Sequence, residues 1–332
     1  MKKIKTLTSC IALLTTVVST NTLADDSKSE SFKNPFFGVI DTRITSFEHE
    51  DLNAEVIRAS IGAKGKYDFE PFTAIYKLDV DFAPASNSQL SESVGPDSPF
   101  DSDDNFWVRS AVVLISGKYG TGVIGRGPSG NYLDVYKVLD LFKTNNWEPS
   151  SQNQNMLFDQ SGYGFNVLSY ATPKFAKGTL QAKITNISLS DLNDKDSDAL
   201  GYRLLFTQGD FYAAISRVDI DYFENKDYHR NTLATSYKIN NFYIAGLYEL
   251  VENNPKIGDQ DNWGVALNYK AFDTKFSVGY TERDAEIDAA DDNLAVAGVR
   301  YQGFENLEFW AEAGFTDSDG NDNFSGGITL QF

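Results

Sequence analysis

The chain has 332 residues, with 29 Lys and Arg against 47 Asp and Glu, and a formal net charge of −18 at pH 7. That balance excludes a nucleic-acid partner, whose phosphates call for clustered Lys and Arg, and fits a surface that gathers cations. With 17 Tyr, 24 Phe and a mean hydropathy of −0.35, composition alone does not separate a membrane barrel from a secreted enzyme.

At the amino terminus Met-Lys-Lys-Ile-Lys precedes the apolar run Ile11–Val18, and Thr22 and Ala24 supply small residues at the −3 and −1 positions of a cleavage site. Residues 1–24 are therefore expected to be a cleaved signal peptide, with the mature chain starting at Asp25. The run is too short to span a bilayer as a helix, and no later stretch approaches 18 apolar residues. The signal carries three lysines and no acid, so its removal takes the charge from −18 to −21. The single cysteine, Cys10, lies in the signal and ahead of the apolar run, which argues against a lipid anchor. It leaves the mature chain without a disulfide, a Cys metal site or a thiol nucleophile. Residues 25–35 read as a short N-terminal extension.

From residue 36 the chain reads as strands. Candidates in the first half are 36–46, 55–69, 71–83, 106–118, 121–127, 163–173 and 179–188. The second half adds 200–208, 211–222, 231–240, 242–251, 262–271, 274–283, 293–302, 306–316 and 323–332. In the second half apolar residues fall at every second position. Trp263, Val265, Leu267 and Tyr269 alternate with Gly264, Ala266, Asn268 and Lys270. Leu307, Phe309, Ala311, Ala313 and Phe315 alternate with Glu308, Trp310, Glu312, Gly314 and Thr316. One face is apolar, while the other carries charge, amide and glycine.

Short connections at Gly209-Asp210, Asn240-Asn241, Ala271–Asp273 and Gly303–Asn306 hold the residues that tight hairpins need, and they recur roughly every 31 residues. Between them lie long acidic connections at Glu224–Arg230, Glu252–Asn262, Asp284–Asn293 and Asp317–Asn323. Short turns at one end and long loops at the other are the pattern of a transmembrane barrel. A soluble sandwich or propeller mixes the two. About sixteen strands, an even count, predict an all-β fold: a closed antiparallel transmembrane barrel wide enough to hold an aqueous channel.

Aromatics gather where strands meet the short turns: Tyr67, Phe69 and Phe72; Tyr119; Phe206 with Phe211; Tyr237 with Phe242; Tyr269 with Phe276; Tyr301 with Phe304. This is the placement of a headgroup-level girdle. The chain ends on a strand whose Phe324, Ile328, Leu330 and Phe332 share a face. Here it resembles outer-membrane proteins generally, in which a terminal strand of this kind is read by the barrel-assembly machinery. Leu330 and Phe332 are the assembly-signal residues that this implies. Physically, such reading is strand addition to an exposed edge.

Three stretches resemble the general, trimeric porins of Gram-negative bacteria: Ala59–Gly65, Phe106–Arg126 and Asn166–Pro173. The second is similar to that family's R-x-A-x-V-G-L-x-G-x-F-G-x-x-x-x-G-R run, and the third to its N-S-v-r-Y-x-S-P strand. The resemblance covers residues from about Phe36 to Phe332 and implies a sixteen-stranded barrel, usually a homotrimer, in a Gram-negative outer membrane. It also implies that the long connection at about 127–162 folds into the barrel. That connection carries Asp134, Asp140, Glu148 and Asp159 amid Tyr132, Tyr136, Phe142 and Trp147. Facing it the family places a basic wall. Parity assigns Arg43, Arg58, Lys64, Lys66, Lys77, Arg109 and Arg126 to the lumen face, and Arg58, Arg109 and Arg126 match family positions. A basic wall opposite an acidic loop orients dipolar solutes and sets ion preference. Ser169 replaces the family's arginine in the sixth strand, and the Pro-Glu-Phe-Gly-Gly of the loop is absent. Both departures point to a less basic constriction.

The expected function is passive diffusion of ions and small hydrophilic solutes, with a mild cation preference. The expected partners are outer-membrane lipid, lipopolysaccharide and further copies of the chain. No catalytic residue, cofactor or metal is expected. Gly120-x-Gly122-x-x-Gly125 spells a dinucleotide fingerprint, but Arg-Gly-Pro follows it rather than a helix. His49 and His229 are the only histidines and fall in predicted outer loops, which disfavours a Ser-His-Asp or His metal site. The acidic runs 101–104 and 191–198 lack Ca²⁺-loop spacing and read as solvated loops that could bridge divalent cations to lipopolysaccharide phosphates. The alternatives are a substrate-selective barrel for oligosaccharide or phosphate, with Trp147 and Trp310 as lumenal platforms, and, from another class, a barrel enzyme or adhesin.

Overall fold

The computed structural model describes residues 35–82, 106–145, 158, 162–188, 199–221, 228–255, 257–317 and 322–332. The expected signal peptide, most of the N-terminal extension, Trp147, Glu148, Asp159 and the acidic runs 101–104 and 191–198 lie outside the described residues.

Sixteen strands form one closed antiparallel barrel: β1 (Phe36–Phe47), β2 (Asn53–Phe69), β3 (Phe72–Asp81), β4 (Trp107–Gly117), β5 (Gly120–Pro128), β6 (Tyr163–Ala171), β7 (Leu180–Ile187), β8 (Ala199–Gln208), β9 (Phe211–Ile220), β10 (Tyr228–Ile239), β11 (Phe242–Asn254), β12 (Gly258–Ala271), β13 (Thr274–Ala285), β14 (Asp292–Phe304), β15 (Leu307–Thr316) and β16 (Asn323–Gln331). Each strand pairs with its sequence neighbours, and β1 pairs with β16, with Val39 opposite Gln331 and Phe47 opposite Asn323. Closure leaves no strand edge, the condition for a sheet to stand in hydrocarbon.

Sequence alternation becomes two faces. Outward rows such as Trp263–Val265–Leu267–Tyr269 are exposed, while the inward rows hold buried Asn262, Glu249, Arg43 and Ser325. An exterior of aliphatic and aromatic side chains around a polar interior inverts a soluble core and fits lipid outside, water inside. No helix among the described residues is long and apolar enough to cross a membrane.

The short connections fall where the sequence places them. Gly209 (φ 59°) and Asn240 (φ 52°) adopt the left-handed conformation in two-residue turns. At the turn end, Phe242 and Tyr269 have ring centroids 4.7 Å apart, and Tyr301 and Phe304 5.9 Å. A second aromatic row, which the sequence reading did not identify, lies nearer the long loops. In it Trp263 sits 5.3 Å from Tyr280, with Tyr248 beside Trp263 in the ladder. Trp263 and Tyr269 are six residues apart on β12, about 20 Å of strand, so the two girdles bracket an apolar band.

Two expectations need correction. The connection expected at Glu252–Asn262 is largely ladder: β11 runs to Asn254 and β12 starts at Gly258, so Asp259 and Asp261 stand on a strand. His229 lies in β10, paired with Asp219 and Glu252, rather than in a loop. Backbone pairing continues beyond the apolar band, where polar side chains on both faces erase the alternation that marks a strand.

Candidate pore constriction

The connection between β5 and β6 enters the barrel. Ser129 caps a five-residue helix, α1 (Gly130–Asp134), by accepting the Tyr132 N–H at 3.0 Å. Its own N–H reaches Gly162 O at 2.8 Å, which holds the two ends of the connection together. A 3₁₀ turn follows at Tyr136–Val138.

Tyr132, Val135, Tyr136, Val138 and Phe158 bury against Leu205, Ala214, Ala234, Ala245 and Leu247 of the lumenal wall. Alanines on adjacent strands leave room for these rings. Burial of five such side chains is worth several kcal/mol by area. Further on, Phe142 packs on Leu294 and Val296.

Polar contacts fix the path. Tyr212 donates to Asp134 O at 2.5 Å and Tyr243 to Val138 O at 2.9 Å. The Tyr136 hydroxyl bonds Glu249 and lies 3.0 Å from Thr232 Oγ1, while Asn262 Nδ2 donates to Glu249 at 2.8 Å. Burial, followed by the adjacent Glu249 carboxylate, pushes the Tyr136 phenol well above its usual pKa, so it stays a donor. Glu312 accepts the backbone N–H groups of Lys143 and of Thr144, the latter at 2.9 Å. Lys143 Nζ reaches Asp41 at 2.9 Å, and Asn145 pairs with Asn323. The segment is thus fastened along the inner wall from β7 and β8 round to β16 and β1.

The acidic residues of the segment do not all face open lumen. Asp134 is buried between Lys183 Nζ at 2.8 Å and Arg203 Nη1 at 3.3 Å. Asp140 accepts a bond from the Tyr132 hydroxyl. Lys183 and Arg203, with Tyr212, Glu249 and Glu312, are site residues that sequence reasoning missed. Their inward parity was readable, but nothing local said which would meet the segment.

On the opposite wall Arg43 donates to Glu55 at 2.8 Å. Asp79 lies 3.0 Å from Arg58 and 3.4 Å from Lys77, and Asp81 lies 3.2 Å from Arg109. Lys64 and Lys77 both lie over the Phe37 ring, at 5.3 and 5.4 Å, and Lys66 pairs with Asp68 at 3.2 Å. A β-bulge puts Arg109 beside Ser110 on the inward face. Each of these arginines therefore has a carboxylate on a neighbouring strand position, and the wall is a mixed-charge lattice rather than a basic ladder.

Arg126 sits where the β5–β6 register shifts: it pairs with Ala111, and its guanidinium lies 4.7 Å from the Phe165 ring. Tyr163, two residues before Phe165, packs edge-on against Trp107 with ring centroids 4.7 Å apart, beside the Arg109 guanidinium. Ser169 is lumenal and 2.7 Å from Thr185 Oγ1. Trp310 is inward but only 4% exposed, so it offers no stacking face for a sugar.

A family profile described as Gram-negative porin matches residues 11–321. A search of curated proteins returned no match. Among solved structures, Salmonella typhi OmpF in complex with daunomycin is similar at 17% identity and TM-score 0.69, covering 90% of this chain and 97% of that one. Vibrio cholerae OmpT in a trimer form is similar at 16% and 0.66, covering 90% and 98%. An anion-selective porin from Comamonas acidovorans is similar at 15% and 0.64, also covering 90% and 98%. At these identities the structures share the fold.

Proposed function

The chain belongs to the Gram-negative porin family, and we propose that it is an outer-membrane diffusion channel for ions and small hydrophilic solutes whose narrowest point lies between the 129–145 segment and the wall of β1–β4. The observation that carries this reading is the fastening of that segment inside the barrel through Asp134, Tyr136 and Glu312. It crosses the lumen side of β7–β16 and leaves the β1–β4 wall facing the remaining space, with Arg58 and Lys77 partly exposed there and Arg43 and Arg109 buried behind their carboxylates. Deleting residues 131–144 raises single-channel conductance in planar bilayers if the reading holds. An unchanged conductance overturns it.

The proposed ion preference is mildly cationic. The wall arginines have carboxylate partners, so their field is partly cancelled, and the excess negative charge of the chain gathers cations at the mouth over a Debye length of about 10 Å at 0.1 M salt. A homotrimer is supported by the outward faces of β1–β5, where Ile40, Ile44, Ile61, Leu78, Val113 and Ile124 make a mainly aliphatic surface, unlike the aromatic-rich exterior of β10–β15. Export by a cleaved signal, recognition of Leu330 and Phe332 by the assembly machinery and contact with lipopolysaccharide belong to the same proposal.

A further inference from the structure

We propose that four lumenal glycines on consecutive strands, Gly264 (β12), Gly279 (β13), Gly298 (β14) and Gly314 (β15), form a track that sets how close the 129–145 segment lies to the wall, and so how wide a passage it leaves. This rests on reading that segment as the constriction.

Each glycine faces inward and each lies under a side chain of the segment. A β-carbon added at Gly264 falls 2.7 Å from Thr281 Cγ2 on the wall, 2.8 Å from Leu139 Cδ1 and 3.2 Å from Phe158 Cζ. One at Gly279 falls 2.9 Å from the Phe142 ring, one at Gly298 3.2 Å from Glu312 Cγ and 3.3 Å from the same ring, and one at Gly314 inside contact distance of the Asn145 amide. Carbon atoms pack at about 3.5–4.0 Å, so a β-carbon at Gly264, Gly279 or Gly314 displaces the side chain above it, and one at Gly298 moves the Phe142 ring by a few tenths of an ångström. Leu139, Phe142 and Asn145 are spaced three residues apart, and each step advances the segment to the next one or two strands.

Register shows that the track is not a single ladder row. Gly264 pairs with Thr281, and Gly279 lies two residues nearer the short-turn rim. Gly279 pairs with Val296, and Gly298 again lies two residues nearer that rim. Gly298 pairs with Glu312, and Gly314 lies two residues back toward the loops. The neighbouring inward positions on these strands carry Asn262, Ala266, Ser277, Thr281, Val296 and Glu312, so glycine is confined to where the segment crosses. Glu312 then clasps the backbone at Lys143 and Thr144 between the last two seats. Apolar seats and the clasp together determine depth, where ion pairs alone, with long flexible arms, do not.

Single-channel recordings of the full chain test this with Gly279→Ala, Gly279→Leu and Gly298→Ala. The expected result is a loss of conductance that deepens from Ala to Leu at position 279, because Phe142 is driven toward the lumen. Gly201→Ala is the control: it is inward, between Thr185 and Val218, and an added β-carbon there meets nothing nearer than 3.8 Å. It leaves conductance unchanged. Unchanged or increased conductance in an assembled Gly279→Leu barrel overturns the proposal. If that variant does not assemble, adding Phe142→Ala vacates the seat and restores assembly. Failure to restore it also overturns the proposal. Deletion of 131–144 separates the two ideas: if deletion raises conductance while the glycine variants do not lower it, the track falls and the constriction stands.

Discussion

Gly38 and Phe332 close the barrel on each other: Gly38 N–H donates to Phe332 O at 2.7 Å, Phe332 N–H donates to Gly38 O at 3.1 Å, and the terminal ring covers Gly38 where a β-carbon would stand. The last residue of the chain thus completes the seam between β1 and β16 and needs a glycine opposite to do so. Deleting Phe332 is expected to remove two seam hydrogen bonds and the ring, cutting the yield of assembled barrel while export continues. Gly38→Val is expected to lower thermal stability by displacing the ring, by about 1–3 kcal/mol. Normal assembly of the deletion, read by gel mobility before and after boiling, would show that the terminus is dispensable.

Heat-modifiable mobility also tests the oligomer. The unboiled protein is expected to run as a trimer, and Ile40→Lys on the aliphatic face of β1 to run as a monomer that remains folded. An unboiled wild type at monomer size refutes the trimer.

Asp134→Asn removes the carboxylate that Lys183 and Arg203 share. Two cations fastened in the lumen lose their partner, so the K⁺/Cl⁻ permeability ratio is expected to fall by about twofold, roughly 0.4 kcal/mol. Reversal potentials in a salt gradient measure it, and the shift should be larger in dilute salt. A ratio that does not move means this cluster lies off the ion path.

Glu312→Ala leaves the N–H groups of Lys143 and Thr144 without their acceptor, at a cost of about 1–3 kcal/mol for each buried donor. The β15 ladder to β14 and β16 is made by backbone groups, which the substitution leaves in place. Assembly is therefore expected to be normal, with open-channel noise increased as the segment moves. Quiet recordings from this variant would assign the holding of the segment to its apolar seats alone.

Fold class was written in the sequence because strand alternation and turn chemistry are local. A residue two positions away lies on the same face whatever the rest of the chain does, and Gly or Asn at a two-residue turn announces itself. Thus β8–β16, the short-turn rim, its girdle and the terminal Phe332 were all legible. Where local side chains are silent, the reading failed. Two-sided polarity hid the outer reaches of β11 and β12. Only the tertiary structure decided the interior. Asp134 meets Lys183 across 49 residues of sequence because the segment happens to cross β7 and β8, and Phe142 rests on Gly279 and Gly298 because it goes on to cross β13 and β14. Which wall position a loop touches depends on the path of a closed lumen, a property of the whole barrel that no local period encodes.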